Sequence, residues 1–392
     1  MTSRSFTCPV CQSSEWDRFF RQSDVPVYCC VLWDTQPAAW QCPKGDIQLA
    51  ICRSCGMIAN VAFDSALVSY DPRYDNSLHF SSHFQAYAET LARRLIQTYD
   101  LKGKTVIELG CGKGDFLELL CRLGDLRGIG FDPTYVDNRA SSDAAPNMLV
   151  VRDVFSEKYS DLECNLVCCR QTLEHIPNPV AFLQAVHRAI GQRKTPLFFE
   201  VPNAWFMLRE GSVWDVIYEH CSYFSPPPLA RLFSQCQITV DEVREDFGRQ
   251  YLCLHATSGD ERAVKSGLDQ EALARIVDAA ADFGKTYQQK VDEWKDRLEV
   301  FRRQGKRAVI WGAGAKGVTF LNAVGESGIE YAVDLNPRKH GRFIPGTGQQ
   351  VVSPSFLREY LPDVVLVMNP IYRDEIEDQM RGLGIAPEVL AV

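Results

Sequence analysis

The run Thr105-Val106-Ile107-Glu108-Leu109-Gly110-Cys111-Gly112-Lys113-Gly114-Asp115-Phe116 admits few folds. A β-branched stretch passes into a glycine-rich turn, and Phe116 to Leu120 continues as a helix. Glycines let the backbone come close to a bound ligand, and a strand–turn–helix of this kind opens doubly wound α/β domains. One such turn is weak, but three further features stand at the intervals this fold requires. Gly128 to Asp132 reads as a second strand ending in a carboxylate, 24 residues after Glu108. An acid there can bond a ribose diol. Val150-Val151-Arg152-Asp153 reads as a third strand end, again acidic, and Leu166 to Pro177 as a fourth strand, a turn and a helix start.

The length of 392 residues suggests two or three domains. With 46% hydrophobic and 23% charged residues the composition is that of a globular protein, which excludes a disordered chain. Fifty acidic against 42 basic residues leave a net charge of −8, so phosphate backbones exert no global attraction and no nucleic-acid partner is expected. No apolar run reaches the length of a membrane span, and Met1 to Phe6 carries no apolar signal region. A cytoplasmic protein is expected. In that reducing compartment the 15 cysteines point to metal ligation or burial rather than disulfides.

Cys8-Pro9-Val10-Cys11 and Cys52-Arg53-Ser54-Cys55 are two C-x-x-C knuckles. Each turn aims two thiolates at one point, and two turns complete a tetrahedron for Zn²⁺ with no open position, hence a structural site. Forty residues separate the knuckles, more than in a zinc ribbon, and Cys29, Cys30 and Cys42 lie in between as substitute ligands. Downstream, Ser82-His83-Phe84-Gln85 reads as a capping box, and Phe84, Tyr87, Ala88, Leu91 and Leu95 give helical spacing to about Tyr99.

The run Glu108 to Gly114 resembles the E/D-x-G-x-G-x-G loop of class I S-adenosylmethionine-dependent methyltransferases. An NAD fold also places an acid after its second strand, but needs G-x-G-x-x-G, whereas these glycines are Gly110, Gly112 and Gly114. The resemblance implies that Glu108, Gly110, Cys111, Gly112 and Gly114 face the amino-acid part of the cofactor. It implies that Asp132, followed by Pro133, bonds the ribose, and that Asp153 and Val154 approach the adenine. Gln171 and His175 would line the mouth of the site.

Past a fifth strand, Leu197 to Asn203, comes Tyr218-Glu219-His220-Cys221-Ser222-Tyr223-Phe224-Ser225. An imidazole beside a carboxylate is a general-base arrangement, and the alternative is a histidine satisfied in the interior. The knuckles, the methyltransferase core and this segment together resemble the nucleotide-sugar C-methyltransferases, which methylate a carbon of a nucleotide-linked keto-sugar. Some relatives read Tyr-His-Glu-His; the first His is missing here, which leaves His220 as the implied base, held by Glu219. Tyr74, in Tyr70 to Ser77, stands where that family has a tyrosine. Tyr74 or Tyr223 would steady an enolate oxygen, and Tyr218 and Asn203 would contact substrate.

Asp269 to Gln304 is charged, with an apolar stripe from Leu273 to Phe301 near the 3.6 period, one long helix or two. Gly312, Gly314 and Gly317 then form a G-x-G-x-x-G, with Asp334 at a following strand end. Read alone this is an NAD fingerprint, on a segment too short for a full dinucleotide domain. The family resemblance extends to Gly312–Gly317, Val333–Lys339 and Pro345–Thr347, and implies a C-terminal module on the substrate side, with Lys316 and the amides near Gly314 meeting a pyrophosphate. One departure is Asn369-Pro370-Ile371-Tyr372, where the family tends to a Trp-Asn pair.

The expected fold is α/β: a zinc-binding module (1–68), a Rossmann-like class I methyltransferase core (69–258), a helical connector (259–304) and a Rossmann-like C-terminal α/β module (305–392). The expected cofactors are S-adenosylmethionine and a structural zinc. The expected partner is a small molecule, with no membrane and with a monomer or homodimer as the assembly. Two other functions fit the residues, O-methylation of a small metabolite and a non-catalytic cofactor-binding module.

Overall fold

The computed structural model describes residues 6–69, 73–135, 147–259 and 270–392. Met1 to Ser5, Tyr70 to Pro72 and Asp269, which figure in the sequence reading, lie outside the described residues. Among the described residues sixteen strands form three sheets.

The N-terminal sheet is antiparallel: β1 (Trp16–Pro26), β2 (Lys44–Cys52) and β3 (Ile58–Asn60). Its fourth strand, β9 (Ser222–Tyr223), comes from the His220 segment, pairing Ile58 with Tyr223 and Ala59 with Ser222. The division expected at residues 68 and 69 therefore does not separate the sheets.

The central sheet has β4 (Thr105–Leu109), β5 (Arg127–Phe131), β6 (Met148–Val151), β7 (Leu166–Arg170), β8 (Pro196–Pro202), β10 (Ile238–Asp246) and β11 (Tyr251–Ser258). The order is β10-β11-β8-β7-β4-β5-β6. The strands from β4 to β8 are parallel, and β11 runs antiparallel beside β8. The fully parallel dinucleotide-binding order lacks such an inserted hairpin, so the topology separates this domain from an NAD fold. Strand order reverses between β4 and β7, and the crevice outside their carboxyl ends is where ligands bind in open α/β sheets.

The helix before β4 spans Ser82–Thr98, buries Phe84, Ala88, Leu91, Ala92 and Leu95, and is capped one residue earlier than the sequence suggests. Ser81 Oγ accepts the Phe84 N–H at 3.2 Å, and Glu375 accepts from Ser82 N at 2.7 Å and Ser82 Oγ at 2.9 Å. A carboxylate from the far end of the chain thus meets the helix's orphan amides.

The third sheet is wholly parallel: β12 (Ala308–Trp311), β13 (Tyr331–Val333), β14 (Gln350–Val352), β15 (Val364–Val367) and β16 (Glu388–Ala391), ordered β14-β13-β12-β15-β16. Before it runs one helix, Gln270–Arg303, with its apolar stripe from Leu273 to Phe301 buried. Phe283 packs edge-on against Phe20 at 5.7 Å, and Trp294 against Phe320 at 5.7 Å. The stripe is consumed between the first and third sheets of its own chain.

Candidate active site

Gly110, Gly112 and Gly114 have φ of 65°, 56° and 79°, a region closed to most side-chain-bearing residues. A Cβ on Gly110 would lie 2.2 Å from Thr172 Oγ1, whereas one on Gly112 would meet nothing within 4 Å. The loop is thus packed on the sheet side and open at Gly112. Asp132, at the end of β5, pins it: Gly112 N–H donates to Asp132 Oδ2 at 2.8 Å, and Thr134 donates to Oδ1 through its N–H at 2.7 Å and its hydroxyl at 2.6 Å. Glu108 is buried with Oε2 unpartnered, and burial pushes its carboxyl up to about 8. An orphaned acidic oxygen beside an open glycine turn fits the cationic amino-acid end of S-adenosylmethionine. At the end of β6, Asp153 accepts from the Val154 N–H at 2.8 Å, from Tyr159 at 2.6 Å and from Lys158, which hold it down to about 2. Val154 is an exposed apolar side chain beside it.

On the other side of the crevice, Arg170 at the end of β7 forms a buried pair with Glu200 of β8, at 3.1 and 2.9 Å. Gln171 takes a positive φ of 49° and is fixed twice to Glu200, through its N–H to the carbonyl at 2.8 Å and its Nε2 to Oε1 at 3.1 Å. This anchor launches the turn Leu173–His175 at the strand-order reversal. There Glu174, His175 and His220 offer side-chain N and O atoms that all lie within 4.8 Å of one another. The two imidazoles stand edge to face with centroids 4.8 Å apart. Burial lowers His175 to about 4 and His220 well below the ordinary histidine value, so both rings are neutral near pH 7. His175 Nδ1 meets the Glu219 carbonyl at 3.1 Å and is therefore its protonated nitrogen. Glu174 is buried, neither oxygen has a partner from another residue, and burial raises it to about 8.

In the N-terminal module the thiols of Cys8, Cys11, Cys52 and Cys55 all lie within 4.8 Å of one another. Cys8 and Cys55 are 3.7 Å apart, Cys11 and Cys52 3.4 Å. Four converging sulfurs with no bond between them fit a tetrahedral thiolate site. Cys29, Cys30 and Cys42 are not part of that cluster.

Residues 80–243 match the family model of a methyltransferase domain, and residues 249–385 match that of the C-methyltransferase C-terminal domain. Over 396 aligned residues the chain is 24% identical to C-methyltransferase NovU of Streptomyces niveus, covering 95% of this chain and 91% of that one. Both family models and this relative support the C-methyltransferase family for the chain. It is an S-adenosylmethionine-dependent enzyme. Ubiquinone biosynthesis O-methyltransferase of Escherichia coli is 32% identical over 123 residues, 29% of this chain and 47% of that protein. Among solved structures, magnesium protoporphyrin IX methyltransferase of Synechocystis with bound SAH aligns at 14% identity and TM-score 0.33, over 45% of this chain and 84% of that one.

Several residues do other work in this C-methyltransferase than the sequence suggests. Glu219 does not hold His220: it turns away, and its Oε2 accepts the Cys29 N–H at 2.9 Å. Tyr223 is no free donor, since its hydroxyl donates to the Ile217 carbonyl at 2.9 Å and accepts the Ile217 N–H at 3.1 Å. Tyr218 is equally committed, to the Asp64 carbonyl at 3.2 Å and the Asp64 N–H at 2.9 Å. It is buried against Gly45, where a Cβ would meet its ring at 2.3 Å, so substrate has no access to it. Asn203 is a buried cap: its Oδ1 accepts the Trp205 N–H at 3.0 Å and its Nδ2 donates to Glu245 at 3.0 Å and to the Arg249 carbonyl at 2.9 Å. Lys316 pairs with Asp215 and reaches Ser212 Oγ at 3.3 Å, clamping the C-terminal module to the core instead of standing free for phosphate.

Tyr74 lies within electrostatic reach of Glu219 and Glu174. It touches Cys30, and burial and the Glu219 charge raise its hydroxyl. The adjoining Asp75 is tied to the C-terminal module by Arg338 at 2.7 Å, while Ser77 donates to Asp115, on the helix after the glycine loop, at 2.8 Å. In the C-terminal module Asp334 is already occupied, by the Ala313 N–H at 3.0 Å, the Asn336 N–H at 2.9 Å and Lys339 at 3.1 Å. A Cβ on Gly317 would sit 2.0 Å from the Gly312 carbonyl, so that glycine serves packing. Asn369 exchanges amide hydrogen bonds with Gln250 at 2.9 and 3.2 Å, so its segment docks one domain on another. Glu174 is the site residue that sequence reasoning missed; its only signal was a carboxylate directly before His175 in the turn after the fourth strand.

Proposed function

We propose that the enzyme methylates a carbon next to the ketone of a nucleotide-linked keto-sugar, with His220 as the base that removes the α-proton. The observation that carries this reading is the pair of neutral, half-buried imidazoles at the strand-order reversal, beside the glycine loop. A C–H acid needs a neutral base, and burial keeps His220 in that form. Tyr74 is the donor that steadies the enolate oxygen. The C–H bond breaks, its proton goes to His220, and the carbon attacks the sulfonium methyl as the S–CH₃ bond breaks. The departing S-adenosylhomocysteine keeps that electron pair.

The nucleotide end is assigned to the C-terminal module. The helix Ala315–Val324 starts at Gly314, where a Cβ would meet nothing within 4 Å, and open amides at a helix start suit a pyrophosphate. The four thiols hold a structural zinc in this reading, which suits a reducing cytoplasm.

Incubation with S-adenosylmethionine and a panel of nucleotide-linked keto-sugars in D₂O tests it by mass spectrometry. A product heavier by one methyl, with the α-hydrogen lost or exchanged, is expected. Near-normal turnover by folded His220→Asn would remove the base assignment. The partial likeness to an O-methyltransferase gives the second reading, deprotonation of a hydroxyl, and a methylated product that retains its α-hydrogen would select it.

A further inference from the structure

A half-buried base in a largely apolar setting is served by a partner for the charge it acquires. The groups around His220 are His175, Tyr223, Cys221, Glu219 and Glu174. Most are committed. His175 holds its Nδ1 proton on the Glu219 carbonyl. Tyr223 is bonded twice to Ile217, and the Cys221 thiol donates to the Glu174 carbonyl at 3.3 Å. The Glu219 carboxylate is anchored to Cys29. Among the described residues here, Glu174 is the one carboxyl whose oxygens take no hydrogen bond from another residue, although it is only 2% exposed. A buried polar group left without a partner is costly, and such a group in a native chain calls for an explanation.

We infer that Glu174, and not its neighbour in sequence to the base, Glu219, is the carboxylate that works with His220, receiving the proton from the second ring nitrogen as the first removes the substrate's α-proton. The inference rests on His220 being the base. The substrate C–H bond breaks and an N–H bond forms; the opposite N–H bond breaks and an O–H bond forms on Glu174. The imidazole ends neutral and the carboxylate ends as a carboxylic acid. Because solvent does not reach the Glu174 oxygens, it is a positioning and proton-holding residue acting through the ring rather than on the substrate. The separation of at most 4.8 Å closes to a hydrogen bond with a side-chain adjustment of about 2 Å. The direction of transfer follows from burial, which makes ionised Glu174 the stronger base of the two: its carboxyl is raised to about 8 while the imidazole is lowered.

The pH dependence of kcat/KM discriminates. If Glu174 must be ionised, activity rises with pH through about 8; a lone His220 would put that limb well below 6.5. Glu108 and Glu219 are also raised to about 8, so substitution is required to assign the limb. Glu174→Gln should abolish it and lower the plateau about 10²-fold or more. Glu174→Asp should keep the limb with part of the rate, and Glu219→Gln should keep the limb. A Glu174→Gln enzyme that retains the limb, or a plateau within about threefold of the original, overturns the inference. So does a wild-type enzyme whose turnover needs an added divalent cation, since Glu174 would then be a metal ligand.

If no keto-sugar is turned over, the function proposed above fails while the coupling remains testable. With ¹³C-histidine in the full chain, which has seven histidines, the His220 signal, identified by its loss in His220→Asn, should shift through pH 8 in the wild type and not in Glu174→Gln. A His220 titration unchanged by Glu174→Gln overturns the inference without any substrate.

Discussion

Replacing Glu200 by Gln tests how the crevice is held in shape. The Arg170 and Glu200 side chains are 8% and 0% exposed, so neither charge is relieved by water. Glu200 takes two bonds from Arg170, one from Gln171 Nε2 at 3.1 Å and one from the Tyr87 hydroxyl. Gln keeps the shape and removes the charge, leaving the guanidinium unpaired in the interior. Breaking one partner of a buried pair costs about 3–5 kcal/mol, and the Phe116 ring, 4.0 Å from the guanidinium, returns only about 1 kcal/mol of it. For a unit the size of the central domain, about 2–4 °C are lost per kcal/mol, a fall of roughly 6–20 °C in the core transition. Differential scanning calorimetry reads this, with S-adenosylmethionine titration as the companion assay, because Gln171 and the turn behind it lose their anchor. The double variant Arg170→Met/Glu200→Met removes both charges and should melt above the single one. A single variant within about 1 kcal/mol of wild type, or a double variant less stable than the single, would refute this account.

Three further outcomes follow. Tyr223→Phe removes both bonds to Ile217; each is worth about 1 kcal/mol, so the melting point should drop and turnover fall modestly while cofactor affinity holds. Native mass spectrometry of the full chain should show one zinc, and Cys55→Ser should lose it; a zinc-free wild type refolded with excess zinc would exclude the site. Glu174 is raised in the folded chain from 4.5 to about 8, so it contributes stability below pH 4.5 that is lost as pH rises through 8. Glu174→Gln should therefore gain on the wild type in urea denaturation between pH 5 and 9. His175, lowered from 6.5 to about 4, acts the other way, its contribution fading as pH falls through that window in both proteins.

The parts legible in the sequence are those whose partners are near in the chain. Gly110 to Gly114 and Asp132 meet across one strand–helix–strand unit, and the long helix announces itself by period. The cysteine knuckles are an exception in distance, legible because each pair is local and thiolates have few other uses. What escaped was the choice among long-range partners. Glu219 stands beside His220 in sequence, yet its carboxylate bonds Cys29, 190 residues away. Lys316 meets Asp215 across 101 residues, and Ser81 and Ser82 meet Glu375 across nearly 300. Glu219 lies in a turn closed by the His220 N–H on the Ile217 carbonyl at 3.3 Å, and its carboxylate leaves toward Cys29, so the Glu219-His220 sequence motif does not become a side-chain pair.

The pairing of β3 with β9 also sets an order of events during synthesis. The N-terminal sheet emerges from the ribosome first, but its last strand arrives roughly 160 residues later. Until then Ile58 to Asn60, all buried in the finished chain, form an unpaired sheet edge, the kind of surface that recruits neighbouring strands. The nascent chain therefore carries an aggregation-prone margin through most of the central domain's translation. Once β9 docks, the loop bearing His220 is sealed to the cysteine-bearing module, so a disturbance of the four thiols at the first-made end would be felt at His220.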